Sequence, residues 1–184
     1  MYKIVPWSTD LDLTSFYQKA DSKGYKNNSS EKVLVNCFDK EREKQVWILY
    51  YNNKPVGSVA AHSLDLFSES SYRICARTCL FTDELPLNSL RTIKGITQHQ
   101  NVTAQFLIPV CIDWAGRDKD LFISSNQSQE ASQRLVHTIF CPALEKTGIL
   151  MHWGDYFYRG HIQSFWKLNV DKFLEDLNKY GRWI

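Results

Sequence analysis

The most regular hydrophobic pattern lies between residues 45 and 81, QVWILYYNNKPVGSVAAHSLDLFSESSYRICARTCLF. An aromatic and β-branched run over 46–51 meets Asn52-Asn53-Lys54-Pro55, and a second run over 56–64 follows directly. Such side chains suit a pleated surface, and Asn-Asn enters a tight turn at little steric cost. Polar residues 68–71 break the chain again before a third run over 72–81, with Arg73 and Arg77 inside it. This predicts three consecutive antiparallel strands, the spine of a sheet.

The flanks supply elements to pack against it. Residues 2–7, YKIVPW, read as a short strand. Ser8-Thr9-Asp10 offers a helix N-cap, and Leu11, Leu13, Phe16, Tyr17 and Ala20 follow at helical spacing until Gly24. A second short helix is predicted over 31–39, and the charge run 40–44 reads as a solvated end or loop. After the spine, Asn88 can cap a helix over 89–98. Residues 102–114 have helical spacing, but Pro109 demands either a kink or a stop before Ile108. LFISS, 121–125, reads as a buried strand, and Ser128 starts a helix that Pro142 kinks and Gly148 closes. Residues 149–153 are a predicted strand, 154–160 (GDYFYRG) an aromatic loop or turn, 161–168 the last strand and 171–180 a closing amphipathic helix. The order is β, α(α), β, β, β, α, β, α, β, β, α: an α/β (α+β) arrangement, a mixed sheet with helices, in one domain over 1–184.

Composition narrows the class without choosing a function. With 43% hydrophobic and 23% charged residues the chain is globular, and 184 residues can bury a core. A net charge of +2 neither requires nor excludes nucleic acid. The five cysteines are odd in number and scattered, which predicts free thiols in a reduced compartment. Strict alternation places Cys75 and Cys79 on one face, roughly 13 Å apart, and Arg73 and Arg77 together on one face. Neither a signal core nor an apolar run near membrane-span length is present in the sequence, so a cytoplasmic protein is expected.

The element order, with the hairpin VWILYYNNKPVGSVAAH, resembles the GNAT superfamily of acyl-CoA-dependent acyltransferases over nearly the whole chain. The resemblance implies a mostly antiparallel central sheet with helices on both faces. It also implies a donor, acetyl-CoA or another acyl-CoA, whose pyrophosphate is held by N–H groups of a loop and helix after the fourth strand. Unpaired N–H groups and the helix dipole make such a place attractive to anions. Here that place is TDELPLNSLR, 82–91. The family's Gln/Arg-x-x-Gly-x-Gly/Ala loop is not reproduced: Arg91 to Gly95 has one residue too many and no second small residue. Asp83 and Glu84 add negative charge and Pro86 lacks an N–H, which predicts weak acetyl-CoA binding. RTCLFTDELPLNS is also similar to a segment of the Mom-type phage DNA modification proteins, GNAT-like enzymes that lack the same loop.

The resemblance implies donor contacts from Arg77, Thr78 and Leu80 on the fourth strand, from Asn88, Ser89 and Arg91 after it, and from Asn126. It implies a Tyr, Tyr156 or Tyr158, as the acid that protonates the departing thiolate. His62, at the end of its strand, is a candidate base for an acceptor amine, and the alternative is a satisfied structural His. Ser124 ends a strand beside a sheet opening, where ligand crevices form, or else belongs to a helix-capping cluster. Arg77 is either a bidentate anion ligand or a solvent-facing strand residue. His152, Asp155 and His161 could meet at a metal only if the fold brought them together, and no metal site is expected. Three functions stay open: acyl transfer to a small-molecule amine, modification of a nucleic-acid base by a phage-type enzyme in its host's cytoplasm, and a non-catalytic interaction protein. Oligomeric state is left undecided, and no membrane partner is expected.

Overall fold

The computed structural model describes residues 1–86, 98–126 and 140–180. Seven strands form one sheet in the order β1-β2-β3-β4-β5-β7-β6. They are β1 (Tyr2–Pro6), β2 (Lys44–Tyr51), β3 (Lys54–Ser63), β4 (Ser71–Leu80), β5 (Asp120–Asn126), β6 (Leu150–Tyr158) and β7 (His161–Leu168). All neighbouring pairs are antiparallel except β4 and β5. The predicted three-strand meander is present. Its first turn is the two residues Asn52 and Asn53, at φ 48° and 64°, the positive-φ pair whose twist suits a hairpin.

Helices cover both faces. On one lie α1 (Thr14–Ser22) and α2 (Glu31–Leu34), with 3-10 turns at Lys26–Asn28 and Asn36–Phe38. Phe16, Leu34 and Phe38 bury there against Ile48, Ala60, Ala76 and Cys79. On the other lie α3 (Gln98–Val102), a π-helical stretch (Thr103–Leu107), α4 (Ile108–Ala115), α5 (Cys141–Lys146) and α6 (Val170–Tyr180). Ile108, Ile112, Leu144, Phe173 and Leu177 pack there on Leu49, Val59, Ala61 and Ile74. Gly148, at φ 77°, closes α5 as expected: Ile149 N–H bonds the Leu144 carbonyl and Gly148 N–H the Glu145 carbonyl, a left-handed C-cap.

Four expectations need correction. The α1 helix starts at Thr14, not after the Ser8-Thr9-Asp10 cap, and the Asp12 carboxylate accepts the Thr14 N–H at 3.2 Å. Pro109 does not stop its helix, which continues from Gln98 to Ala115. It removes the N–H that would bond Gln105, and the backbone widens into π turns just before it. GDYFYRG is not a loop: β6 runs through Gly154 to Tyr158, with a register shift at Gly154 (φ 146°), and only Arg159-Gly160 turns. Cys75 and Cys79 lie on opposite faces, Cys75 against the α4 core and Cys79 in the α1 core. Two one-residue bulges in β4, opposite Ser58–Ala60 and Ala60–His62, break the alternation on which the sequence reading relied.

Candidate active site

The bulges and a fork define the centre of the molecule. Parallel pairing of β4 with β5 lasts only from Ser71↔Asp120 through Tyr72↔Leu121 to Arg73↔Phe122. Beyond it β5 turns to β7. From Ile74 to Leu80, the β4 edge that faces β5 has no strand partner among the described residues. The Cys75, Arg77 and Leu80 carbonyls accept from side chains, and the rest of that edge can pair with an extended ligand lying in the opening.

The same segment is strained and pinned. Cys75 (φ 57°) and Arg77 (φ 53°) occupy the left-handed region, which costs a non-glycine residue roughly 1 kcal/mol. The side-chain amide of buried Asn28 donates to the Arg77 carbonyl at 2.7 Å and to Ser58 Oγ at 2.9 Å, and Ser58 Oγ donates to the same carbonyl at 3.2 Å. Thr78 Oγ1 donates to the Cys75 carbonyl at 2.8 Å. Strain held in this way clusters where a fold presents backbone to a ligand.

Beside the fork, on the α1 face, five segments converge. His62 and Arg73 are paired across β3 and β4. Phe38 comes from the turn after α2, Glu41 from the following loop, and Tyr158 and Arg159 from the end of β6 and the turn that follows it. The His62 ring is fully buried, 5.0 Å from the Phe38 ring. Its Nδ1 lies 2.7 Å from the Ser63 carbonyl; a carbonyl only accepts, so Nδ1 carries the proton. Nε2 is then an acceptor, buried and without a partner. Burial, and then Arg73, push the His62 pKa down to about 3, with Arg159 and Arg77 adding to the effect. The ring is neutral at pH 7, so it orients a donor better than it stores a proton.

The arginines stack on aromatic faces. The Arg73 guanidinium lies 5.9 Å from the Tyr158 ring, Arg77 5.8 Å from Phe38, and Arg159 5.1 Å from Phe38 and 5.7 Å from Tyr158. Arg159 pairs with Glu41, and its side chain is only 27% exposed. Burial lowers the Arg73 pKa to about 10; Tyr158 opposes this, while Arg159 and Arg77 add to it. Burial raises the Tyr158 phenol, so it stays protonated.

Of the residues singled out in the sequence, His62, Arg77 and Tyr158 come together. Arg77 does share a side with Arg73, through the bulges and not through alternation. Ser124 donates to Gln163 Oε1 at 2.9 Å, and Gln163 Nε2 donates to the Tyr158 carbonyl at 3.0 Å, so Ser124 ties β5 to the β6–β7 hairpin. Tyr156 packs on Phe67 and Phe165 at 4.9 and 5.8 Å. Leu80 packs against the α4-face core and its carbonyl accepts from Tyr25 at 3.2 Å. Asn126 closes β5 opposite Gln163. Asn88, Ser89, Arg91 and the tail after Tyr180 lie outside the described residues. His152 and Asp155 approach to 3.5 Å on β6, while His161 pairs with Tyr158 at the other end of that strand. Asp83 and Glu84 point away from the fork towards α1. Lys19 binds both carboxylates and Lys23 binds Asp83 at 2.9 Å, holding Asp83 below the usual carboxylate range. The charge repulsion expected against a pyrophosphate is therefore largely neutralised.

Asn28, Phe38, Glu41 and Arg159 were missed. Each looked like loop, core or solvated charge, and they meet only because the topology brings segments from 28 to 159 to one place.

A sheet with this order, one short parallel pair and a fork between its fourth and fifth strands defines the GNAT fold, and solved structures agree. A protein described as a GNAT-family acetyltransferase from Desulfovibrio desulfuricans superposes with a TM-score of 0.59 at 12% identity, covering 92% of this chain and 99% of that one. The ribosomal-protein-S18-alanine N-acetyltransferase of Escherichia coli gives 0.53 at 14%, covering 91% and 93%. An aminoglycoside N-acetyltransferase gives 0.54 at 13%, covering 94% and 99%. The chain has the fold of the GNAT acyltransferases. No family model and no curated protein matches its sequence.

Proposed function

We propose that the chain is an acyltransferase that moves an acyl group from an acyl-CoA to an amine. The observation that carries this reading is the fork. An acyl-CoA has an extended amide-bearing arm, and the free β4 edge from Ile74 to Leu80 offers that arm a strand-like partner. The backbone of Arg77, Thr78 and Leu80 lines it, Asn126 ends the neighbouring β5, and Asn88, Ser89 and Arg91 take the phosphates. Acyl-CoA, when bound, supplies an activated thioester. The protein supplies the rest. A β4 N–H at the bulge would polarise the thioester carbonyl and His62 Nε2 would orient the neutral amine by accepting one N–H; as the C–N bond forms and the C–S bond breaks, Tyr158 would give its proton to the sulfur and regain the one that the amine nitrogen loses. Tyr156 and Ser124 hold the β6–β7 hairpin that carries Tyr158.

Calorimetric titration with acetyl-CoA and longer acyl-CoAs, together with thiol release in the presence of an amine panel, tests this. Without the family's glycine loop, binding is expected to be weaker than about 100 μM, equivalent to roughly −5.5 kcal/mol. Absence of binding by every acyl-CoA up to millimolar concentration refutes the reading. DNA binding with strong salt dependence in that case would move the assignment to a Mom-like base-modifying enzyme.

A further inference from the structure

We propose that Arg73, Arg77 and Arg159, gathered around His62 between Phe38 and Tyr158, form a binding site for a small oxyanion, a carboxylate or phosphate carried by the acceptor. The identity of the anion's carrier as the acceptor rests on the acyl-transfer reading; the oxyanion site does not.

The charge count is the first argument. Three guanidinium groups face one carboxylate, Glu41, and Glu41 is taken by Arg159. His62 is neutral, so it adds no negative charge. Among the described residues, Arg73 and Arg77 have no carboxylate partner, and their Nε atoms are shut off from solvent without any hydrogen bond. Arg73 and Arg77 are partly exposed as residues, but a sealed, unbonded N–H on a charged group is unfavourable. A fold that gathers like charges in this way is completed by an anion that comes from outside.

Geometry supplies the second argument. Each guanidinium lies over an aromatic ring at 5.1 to 5.9 Å, which brings the three groups to one place while an aromatic face takes none of their N–H donors in a conventional hydrogen bond, and a guanidinium can hold an oxyanion bidentately. His62 Nε2 adds an unpartnered buried acceptor to the same cluster. An ammonium, amine or hydroxyl can satisfy it and the oxyanion cannot. The cluster therefore fits one molecule with an anionic group and an N–H a few bonds away, as in an amino acid or a phosphorylated amine. A polymer phosphate is disfavoured: backbone-tracking sites use freely exposed basic side chains, whereas Arg73 and Arg77 are only partly exposed and their Nε atoms are sealed.

The test is thermal unfolding of the full chain, without acyl donor, in sodium phosphate or sodium acetate at about 20 mM against sodium chloride of equal ionic strength. Phosphate, acetate or both should raise the midpoint by about 2 to 4 °C over chloride, and which one acts identifies the anion. Arg77→Gln should abolish that rise. Without anion, its midpoint should equal or exceed the wild type, because an unpaired charge has been removed; a structural arginine would lower it. Arg73→Gln is the second variant, and where it does not fold Arg77→Gln decides alone. No rise beyond chloride, or an equal rise in Arg77→Gln, overturns the proposal. So does stabilisation by a short DNA oligonucleotide when neither small anion acts. Because no acyl-CoA is present, failure here leaves the fork reading standing, and failure of the acetyl-CoA titration leaves this site standing.

Discussion

Acid should destabilise this protein through one residue. Burial and the surrounding arginines bring the His62 pKa from 6.5 in the unfolded chain to about 3 in the fold. Between those values the unfolded state binds a proton that the native state refuses. Stability is therefore full above about pH 6.5 and is lost as pH falls, by about 1.4 kcal/mol per pH unit. From pH 7 to pH 5 the loss from His62 alone is about 2 kcal/mol, a large share of a marginal stability. Urea unfolding at pH 7, 6 and 5 measures it, with His62→Asn as the control. The Asn amide can keep the donation to the Ser63 carbonyl but does not titrate. The variant should be less stable at pH 7, because the ring packed on Phe38 is gone, and should then lose about 2 kcal/mol less than the wild type on going to pH 5. Carboxylates held below their usual pKa, such as Asp83 beside Lys23 and Lys19, titrate in both proteins and cancel in the comparison. Parallel losses in the two proteins would refute the assignment of a buried, neutral His62 among arginines.

Gly57→Ala would place a Cβ 2.7 Å from the Cys79 carbonyl oxygen and 2.8 Å from Leu80 Cδ2. The β3–β4 pair would have to part, at a cost of about 1–3 kcal/mol in urea unfolding, and donor binding at the fork should weaken with it. Asn28→Ala leaves the Arg77 carbonyl with Ser58 alone. A loss of about 1–3 kcal/mol is expected, and the β4 amides should exchange faster by hydrogen exchange. Lys19→Ala should leave the urea midpoint unchanged, because its ion pairs are solvent-screened, while acetyl-CoA affinity measured by calorimetry should fall several-fold at low salt as Glu84 is freed.

Local physics in the sequence was enough for the frame. The aromatic and β-branched runs of β2 and β3, the positive-φ Asn52-Asn53 turn and the Gly148 cap are short-range, so each is decided by residues adjacent in the chain. The element order then specified the layers and the GNAT likeness. The site depended on non-local contacts. Two bulges in β4 have no sequence mark, since Cys75 and Arg77 are not glycines, and the bulges are held by Asn28 from a distant turn. They put Cys75 and Cys79, expected on one face, on opposite faces and left Arg77 over Phe38. GDYFYRG was legible as aromatic and polar but not as a strand, because only pairing with β7 extends β6 through Gly154. His62 could be read as a base from its type alone. Its burial among Arg73, Arg77 and Arg159, three residues from two separate segments, makes it instead a neutral acceptor at the centre of a positive cluster, because charge and desolvation act through space and not along the chain.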